Sequence, residues 1–289
     1  MSWRTVLITN RCKLDLKMAH MVVRGEETKR IFLDEISMLI IENTAVSLTG
    51  CLIAALIERK IKVVFCDEKR NPTAELTPYV GSHDCSRKIK MQVGWRDDVK
   101  CEVWTGIVAE KIAKQAQFLF ELGMKNEAEL LRGYLREIEP GDTTNREGHA
   151  AKVYFNAIFG MGFTRSAECA TNAALNYGYG LILSAFNREV AANGYLTQLG
   201  LHHDNVFNPY NLSCDLMEPY RILVDRFVRE QAFGEFGTEE KHSMLNVLHK
   251  QVLIDGLQQT TINAIKLYTK SVFNALNDDD ISCIKFMKI

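Results

Sequence analysis

The sequence has little proline. Its five residues of that type, Pro72, Pro78, Pro140, Pro209 and Pro219, all sit where a periodic pattern stops, so long helices can run uninterrupted. It has no long apolar run. The longest candidate, Val46 to Ile57, contains Ser47, Thr49 and Gly50 and ends at Glu58-Arg59-Lys60; it is too short and too polar to span a bilayer, and no membrane association is expected. Met1-Ser2-Trp3-Arg4 has no apolar h-region and reads as the lead-in to a strand. No two of the eight cysteines, Cys12, Cys51, Cys66, Cys85, Cys101, Cys169, Cys214 and Cys283, stand in a C-x-x-C spacing, which argues against a zinc knuckle. Most lie in apolar runs, as in Val64-Phe65-Cys66, and are expected to be buried free thiols of a cytoplasmic protein.

Charge of one sign is also missing. Lys and Arg number 35 against 36 Asp and Glu, a formal net charge of −1. A nucleic-acid enzyme with this balance must keep acid at a catalytic centre and base along a groove. There is no G-x-x-x-x-G-K-[ST] loop, so hydrolysis of a nucleoside triphosphate is unsupported, and no G-x-S-x-G elbow. Internal repeats and low-complexity tracts are absent.

What is present divides in two. Thr5–Thr9, Lys13–Met18, His20–Arg24, Arg30–Leu33, Met38–Ile41 and Lys62–Cys66 read as strands from β-rich composition or alternation. From Thr44 to Arg59 the period changes, and Leu48, Leu52, Ala55 and Leu56 predict a helix. Long 3.6-residue patterns then cover Val103–Leu122, Glu127–Ile138, Gly148–Phe159, Ala167–Ala192 and Pro219–Phe233. Between the parts, Glu68 to Gly81 has linker composition, with Asn71-Pro72, Pro78 and Gly81. The expected class is α+β: a small N-terminal β-sheet domain with one packed helix over residues 1–72, a linker over 73–83, and a larger all-α domain over 84–289.

Three positions in the helical part look chemical. A helix through Glu147 aligns that carboxylate with Ala151, Tyr154, Phe155 and Ile158. Either Glu147 closes a Thr144-x-x-Glu147 capping box, or it is a functional acid at the end of an apolar stripe. His202 and His203 lie in a polar loop, as metal ligands or as surface residues. Asp215 and Glu218, three apart, point the same way on a helical turn, although Ser213 capping and a Glu218–Arg221 ion pair also explain them. Two carboxylates and an imidazole form a hard donor set suited to Mg²⁺ or Mn²⁺ and to phosphodiester chemistry.

Glu147-Gly148-His149-Ala150-Ala151 with Tyr154-Phe155 resembles the E-G-x-A-A-x-x-Y-F signature of the universal CRISPR adaptation integrase family. Leu175-Asn176-Tyr177-Gly178-Tyr179 resembles its L-N-Y-G-Y, Gly200-Leu201-His202-His203 its G-x-x-H, and Asp215-Leu216-Met217-Glu218-Pro219-Tyr220-Arg221 its D-L-M-E-P-F-R, with Tyr220 for the commoner Phe. The motifs come in family order, and the run Leu201–Ser213 looks most like the subtype II-A branch. The resemblance implies a metal-dependent DNA integrase with associated endonuclease activity. It puts the catalytic metal ligands at Glu147, His203 and Glu218, with Asp215 as an auxiliary acid. It also implies double-stranded DNA, as fragment and leader-repeat, and a homodimer assembled with a small ferredoxin-like adaptation protein. In the II-A branch a ring-shaped DNA-end-binding protein and the RNA-guided effector nuclease join them. The alternative is a catalytically silent DNA-binding scaffold whose acids are caps and salt bridges.

Arg87, Lys88 and Lys90 open the helical part, followed by Arg96 and Lys100, with Trp95 and Trp104 interleaved. They read as a basic strip along DNA or as a solvated helix face with its tryptophans in the core. Arg146, Lys152 and Arg221 flank the proposed ligands, either to hold a phosphate or to pair with Glu147 and Glu218. Asn172 and Asn176 share a helix face and could support the site indirectly.

Overall fold

A computed structural model describes residues 4–76, 78 and 81–289. The strand lead-in at Met1–Trp3 and linker positions Thr77, Tyr79 and Val80 lie outside the described residues. The chain forms two compact units, Met1–His83 and Asp84–Ile289.

The first unit holds two four-stranded sheets. One has the order β1–β5–β7–β8, made of Arg4–Ile8, Ile36–Ile41, Lys62–Cys66 and Pro72–Leu76. β1, β5 and β7 are parallel and β8 is antiparallel to β7. All six residues of β5 are buried, as expected of a central strand that is apolar but for Ser37. The other sheet has the order β4–β3–β2–β6, made of Thr28–Phe32, His20–Arg24, Lys13–Lys17 and Ser47–Leu48. α1 (Gly50–Glu58) turns Leu52, Ala55 and Leu56 into a core shared with Val6, Leu14, Met21, Leu39 and Val63.

Three expectations change here. The helix starts at Gly50 rather than near Thr44. Ser47–Leu48 first pairs with β2, and the Thr49 side chain caps Leu52 N–H. Met18 leaves the strand: it occupies the tight turn between β2 and β3 with φ 55°. The stretch read as linker begins with a strand, β8. The Asp67 carboxylate accepts from Asn71 N–H and turns the chain back, and Lys62 pairs with Glu75 across the strands. A proline at the first position of an edge strand costs no ladder hydrogen bond.

The second unit is helical. Its elements are α2 (Cys85–Val93), α3 (Asp97–Glu121), α4 (Lys125–Arg136), α5 (Arg146–Phe159), α6 (Ala170–Ala192), α7 (Asn211–Met217), α8 (Arg221–Gln231), α9 (Thr238–Met244), α10 (Asn246–His249) and α11 (Thr261–Asp278). A short 3₁₀ turn, Glu218–Tyr220, joins α7 to α8. Gly178 lets α6 and α8 meet, since a Cβ there would lie 2.5 Å from Val224 Cγ1. One element departs from all-helix: a hairpin of β9 (Gln251–Ile254) and β10 (Leu257–Thr260), turned by Asp255 and Gly256, both at positive φ. Asp-Gly is the residue pair that such turns prefer, so the signal is in the sequence.

The thiols differ from expectation. All eight cysteines are free, but only Cys66 is buried, and Cys51 and Cys169 are exposed. In α1 the period that buries Leu52 and Leu56 turns Cys51 outward. Trp95 and Trp104 are core residues.

Candidate active site

α3 supplies two site residues. Trp104 and Lys111 are seven apart, hence two turns apart on one face. Lys111 Nζ donates to Glu147 Oε1 at 2.5 Å and to Glu218 Oε2 at 2.5 Å. One ammonium therefore bridges the two glutamates.

Glu147 lies in the first turn of α5. The turn is capped by other residues: the Asn145 side chain accepts from Gly148 N–H, and the Asp142 carboxylate accepts from Arg146 and Glu147 N–H. The Thr144 hydroxyl is buried and has no hydrogen-bond partner. The Thr144–Glu147 capping box does not form, and the Glu147 carboxylate faces Lys111 instead.

Glu218 opens the 3₁₀ turn and is buried. Arg221 Nε donates to its other oxygen at 2.9 Å, and the Arg221 guanidinium lies 4.7 Å from the Tyr179 ring centre. Burial would push the Glu218 carboxyl up, but the charges of Arg221 and Lys111 outweigh it and hold the carboxyl at about 2. Burial likewise opposes the Lys111 ammonium, yet the two glutamates raise it above its ordinary value.

Asp215, on α7, is fully buried. It accepts from the backbone N–H of Leu201, His202 and His203 at 2.6, 3.1 and 3.2 Å, and lies 2.5 Å from His203 Nδ1. With Asp215 opposite, Nδ1 is the nitrogen that donates, and in the neutral ring Nε2 is the one that can act as a ligand. The hydrogen bond to Asp215 raises His203, against burial, and the charges of Glu218 and Glu147 add to the rise. Gly200 makes the close seat possible: a Cβ there would lie 2.2 Å from His203 O and 2.8 Å from Asp215 Oδ2. The two histidines have different surroundings. The His202 ring stacks on Trp104 at 4.5 Å and 4°, whereas His203 meets the indole edge-on.

The flanking residues divide. Arg221 pairs with Glu218, but Arg146 pairs with Glu137 at 3.1 Å, and Lys152 is exposed. Asn172 and Asn176 share a face of α6, and both accept from Arg165. That arginine lies over the Tyr179 ring, whose hydroxyl donates to Asp225. Asn172 and Asn176 are thus linked to Arg221 through Arg165 and the Tyr179 ring. In the basic strip, Arg87 and Lys88 both pair with Asp84, and Lys90 is exposed. Lys111 and Asp142 do not stand out in the sequence. A lysine amid Ile107, Val108 and Ile112 on a core helix is the signal that points to Lys111, because buried lysine needs a partner.

The donors suit a divalent cation: two carboxylates from separate elements already share one positive charge, and the neutral His203 ring has a nitrogen, Nε2, not taken by Asp215. With Lys111 in place, no three His, Cys, Asp or Glu side chains among the described residues stand together as a metal-holding group.

Residues 5–233 match the family model described as CRISPR associated protein Cas1. A CRISPR-associated endonuclease Cas1 from Neisseria meningitidis serogroup C (strain 8013) is 34% identical over 295 residues, covering 100% of this chain and 97% of that protein. The fold is similar to a casposase bound to integration product, with TM-score 0.76 and 17% identity over 98% of this chain and 93% of that one. It is also similar to a chain in a Cas6–RT–Cas1–Cas2 complex, with TM-score 0.76 and 17% identity, covering 98% of this chain and 36% of that longer chain. A β-rich unit followed by a helical unit is thus a fold shared with these solved structures. The chain belongs to the Cas1 family.

Proposed function

We propose that the chain inserts short double-stranded DNA fragments into a repeat array by transesterification, with cleavage of branched DNA when water replaces the attacking hydroxyl. The observation that carries this reading is the meeting of Glu147 and Glu218 at one cation position, the Lys111 ammonium. Glu147, Glu218 and His203 would hold Mg²⁺ or Mn²⁺. When bound, that ion supplies charge at the scissile phosphate and at the attacking hydroxyl. Asp215 fixes the tautomer and direction of His203, and Arg221 keeps Glu218 ionised and oriented. One phosphodiester replaces another, so positioning and electrostatics suffice and no nucleotide is hydrolysed.

The proposed assembly is a homodimer with a small ferredoxin-like adaptation protein. If the II-A likeness of Leu201–Ser213 extends to partners, the ring-shaped DNA-end-binding protein and the RNA-guided effector nuclease join it. The deciding assay uses purified protein, the small partner, a labelled fragment and a supercoiled repeat plasmid. Joining is expected to need Mg²⁺ or Mn²⁺, to stop with chelator and to proceed without ATP. A fragment ending in a dideoxynucleotide should bind and not join; equal joining of blocked and free fragments overturns the mechanism.

A second reading is supported by the ion pairs themselves. Lys111 and Arg221 neutralise the acids internally, as in a silent DNA-binding scaffold. A protein that binds DNA but takes up no Mn²⁺ at Glu147 would be that scaffold.

A further inference from the structure

We propose that Lys111 is a resident counter-cation, and that a divalent metal enters this site by exchanging with its ammonium group. The inference rests on the metal-site reading above and goes beyond it.

Three observations carry it. First, the ammonium holds one oxygen of each glutamate, Glu147 Oε1 and Glu218 Oε2, both at 2.5 Å. The remaining Glu218 oxygen is held by Arg221. A second cation drawn to the two glutamate oxygens that face each other therefore meets the Lys111 charge at the same place.

Second, Arg221 and Lys111 are unequally free to leave. Arg221 is planar, bonded through Nε and laid over the Tyr179 ring. Lys111 presents a point charge on a four-carbon stem with rotatable donors. The movable cation stands between the two glutamates, and the fixed one stands on the far side of Glu218.

Third, buried carboxylates that face each other without a cation are costly, because desolvation and repulsion act together. The Glu218 side chain is 4% exposed and Glu147 22%. Lys111, 11% exposed, offsets that cost in the metal-free protein. Among the described residues no three potential ligands stand together; the two glutamates meet on the ammonium.

The exchange needs no bond making: one cation leaves the carboxylates as another arrives. If the ammonium fills the position in most molecules, apparent metal affinity falls by the fraction that is open.

The test is Mn²⁺ binding to the purified, DNA-free protein, followed by electron paramagnetic resonance. Lys111→Met keeps the stem and removes the charge, and is expected to bind Mn²⁺ at least about tenfold more tightly than wild type. It should also melt at a lower temperature in chelator and regain that loss with Mn²⁺. In wild type carrying ¹⁵N-lysine, the protected Lys111 ammonium signal should move to the free-lysine position when Mg²⁺ is added. This measurement needs no substitution and decides the matter if the variant does not fold. Glu147→Gln separates the two levels. Equal or weaker Mn²⁺ binding by Lys111→Met, with binding still dependent on Glu147, overturns the exchange and leaves the metal site standing. Mn²⁺ binding indifferent to Glu147 in both backgrounds overturns the metal site and the exchange together.

Discussion

Trp104 and Lys111 stand two turns apart on one face of α3, and each serves a different part of the site. Trp104 packs against the histidine loop, and Lys111 ties the two glutamates together. A single straight helix thereby sets the spacing between the loop and the acids.

Asp215→Ala should unseat the loop. It leaves the N–H groups of Leu201, His202 and His203 without their acceptor and frees the His203 ring. The expected loss is about 3 kcal/mol in denaturant unfolding, together with loss of strand joining. A variant with wild-type stability would show that the loop is held by its apolar contacts alone.

Glu147→Gln should abolish joining without lowering stability, because Asn145 and Asp142 cap α5 without it. Asn145→Ala should do the reverse, costing about 1 kcal/mol and leaving activity in proportion to folded protein. Melting curves and joining assays on both variants check the pair. If Glu147→Gln lost stability as a cap does, the assignment of caps would be wrong.

Asp225 gives the fold a pH dependence. Burial pushes its carboxyl up to about 6, although the Tyr179 hydroxyl and the Arg221 charge pull the other way. The folded state thus binds this proton more tightly than the unfolded chain. Its stabilising contribution is full below the unfolded value, about 4, and is lost as pH rises through about 6. Asp225→Asn has no proton to lose. Relative to wild type it should gain about 1 kcal/mol between pH 5 and pH 7 in urea unfolding. A difference that stays constant over that range rejects the argument.

The basic strip makes a graded prediction. Replacing Arg87, Lys88 and Lys90 together should weaken DNA binding and flatten its salt dependence, by roughly 0.9 in log–log slope for each phosphate no longer neutralised. Lys90 should give the largest single effect, since Arg87 and Lys88 already share Asp84. Binding measured across a salt series decides it, and an unchanged slope would turn this face away from DNA.

Much of this is legible in the sequence for local reasons. The strands of the first unit declare themselves through β-rich runs such as Met38–Ile41, and α3 and α6 through unbroken helical periodicity. β8 is hidden because Pro72 and Glu75 belong to linker vocabulary, and only pairing with β7 makes them a strand. The hairpin at Asp255-Gly256 carries a legible turn signal, but it interrupts a helical unit and is masked by the periodicity around it. The acids stand out because motif order singles them out. Their partners do not: Lys111 shows only as a lysine amid apolar helix positions, and Asp142 becomes a cap only through the turn that the fold makes before α5. Local spacing even suggests the wrong cap, Thr144, because the left-handed turn at Asn145 shifts the helix start by one residue.

Lys111 reaches Glu147 across 36 residues and Glu218 across 107, and Trp95 reaches Asn277 across 182. Helices form locally within microseconds, but contacts of this span wait for long loops to close. During synthesis, α3 and α5 leave the ribosome well before the segment that bears Glu218. A nascent chain therefore carries helices and one acid but no assembled site. The two glutamates meet on Lys111 only when the later segment has docked.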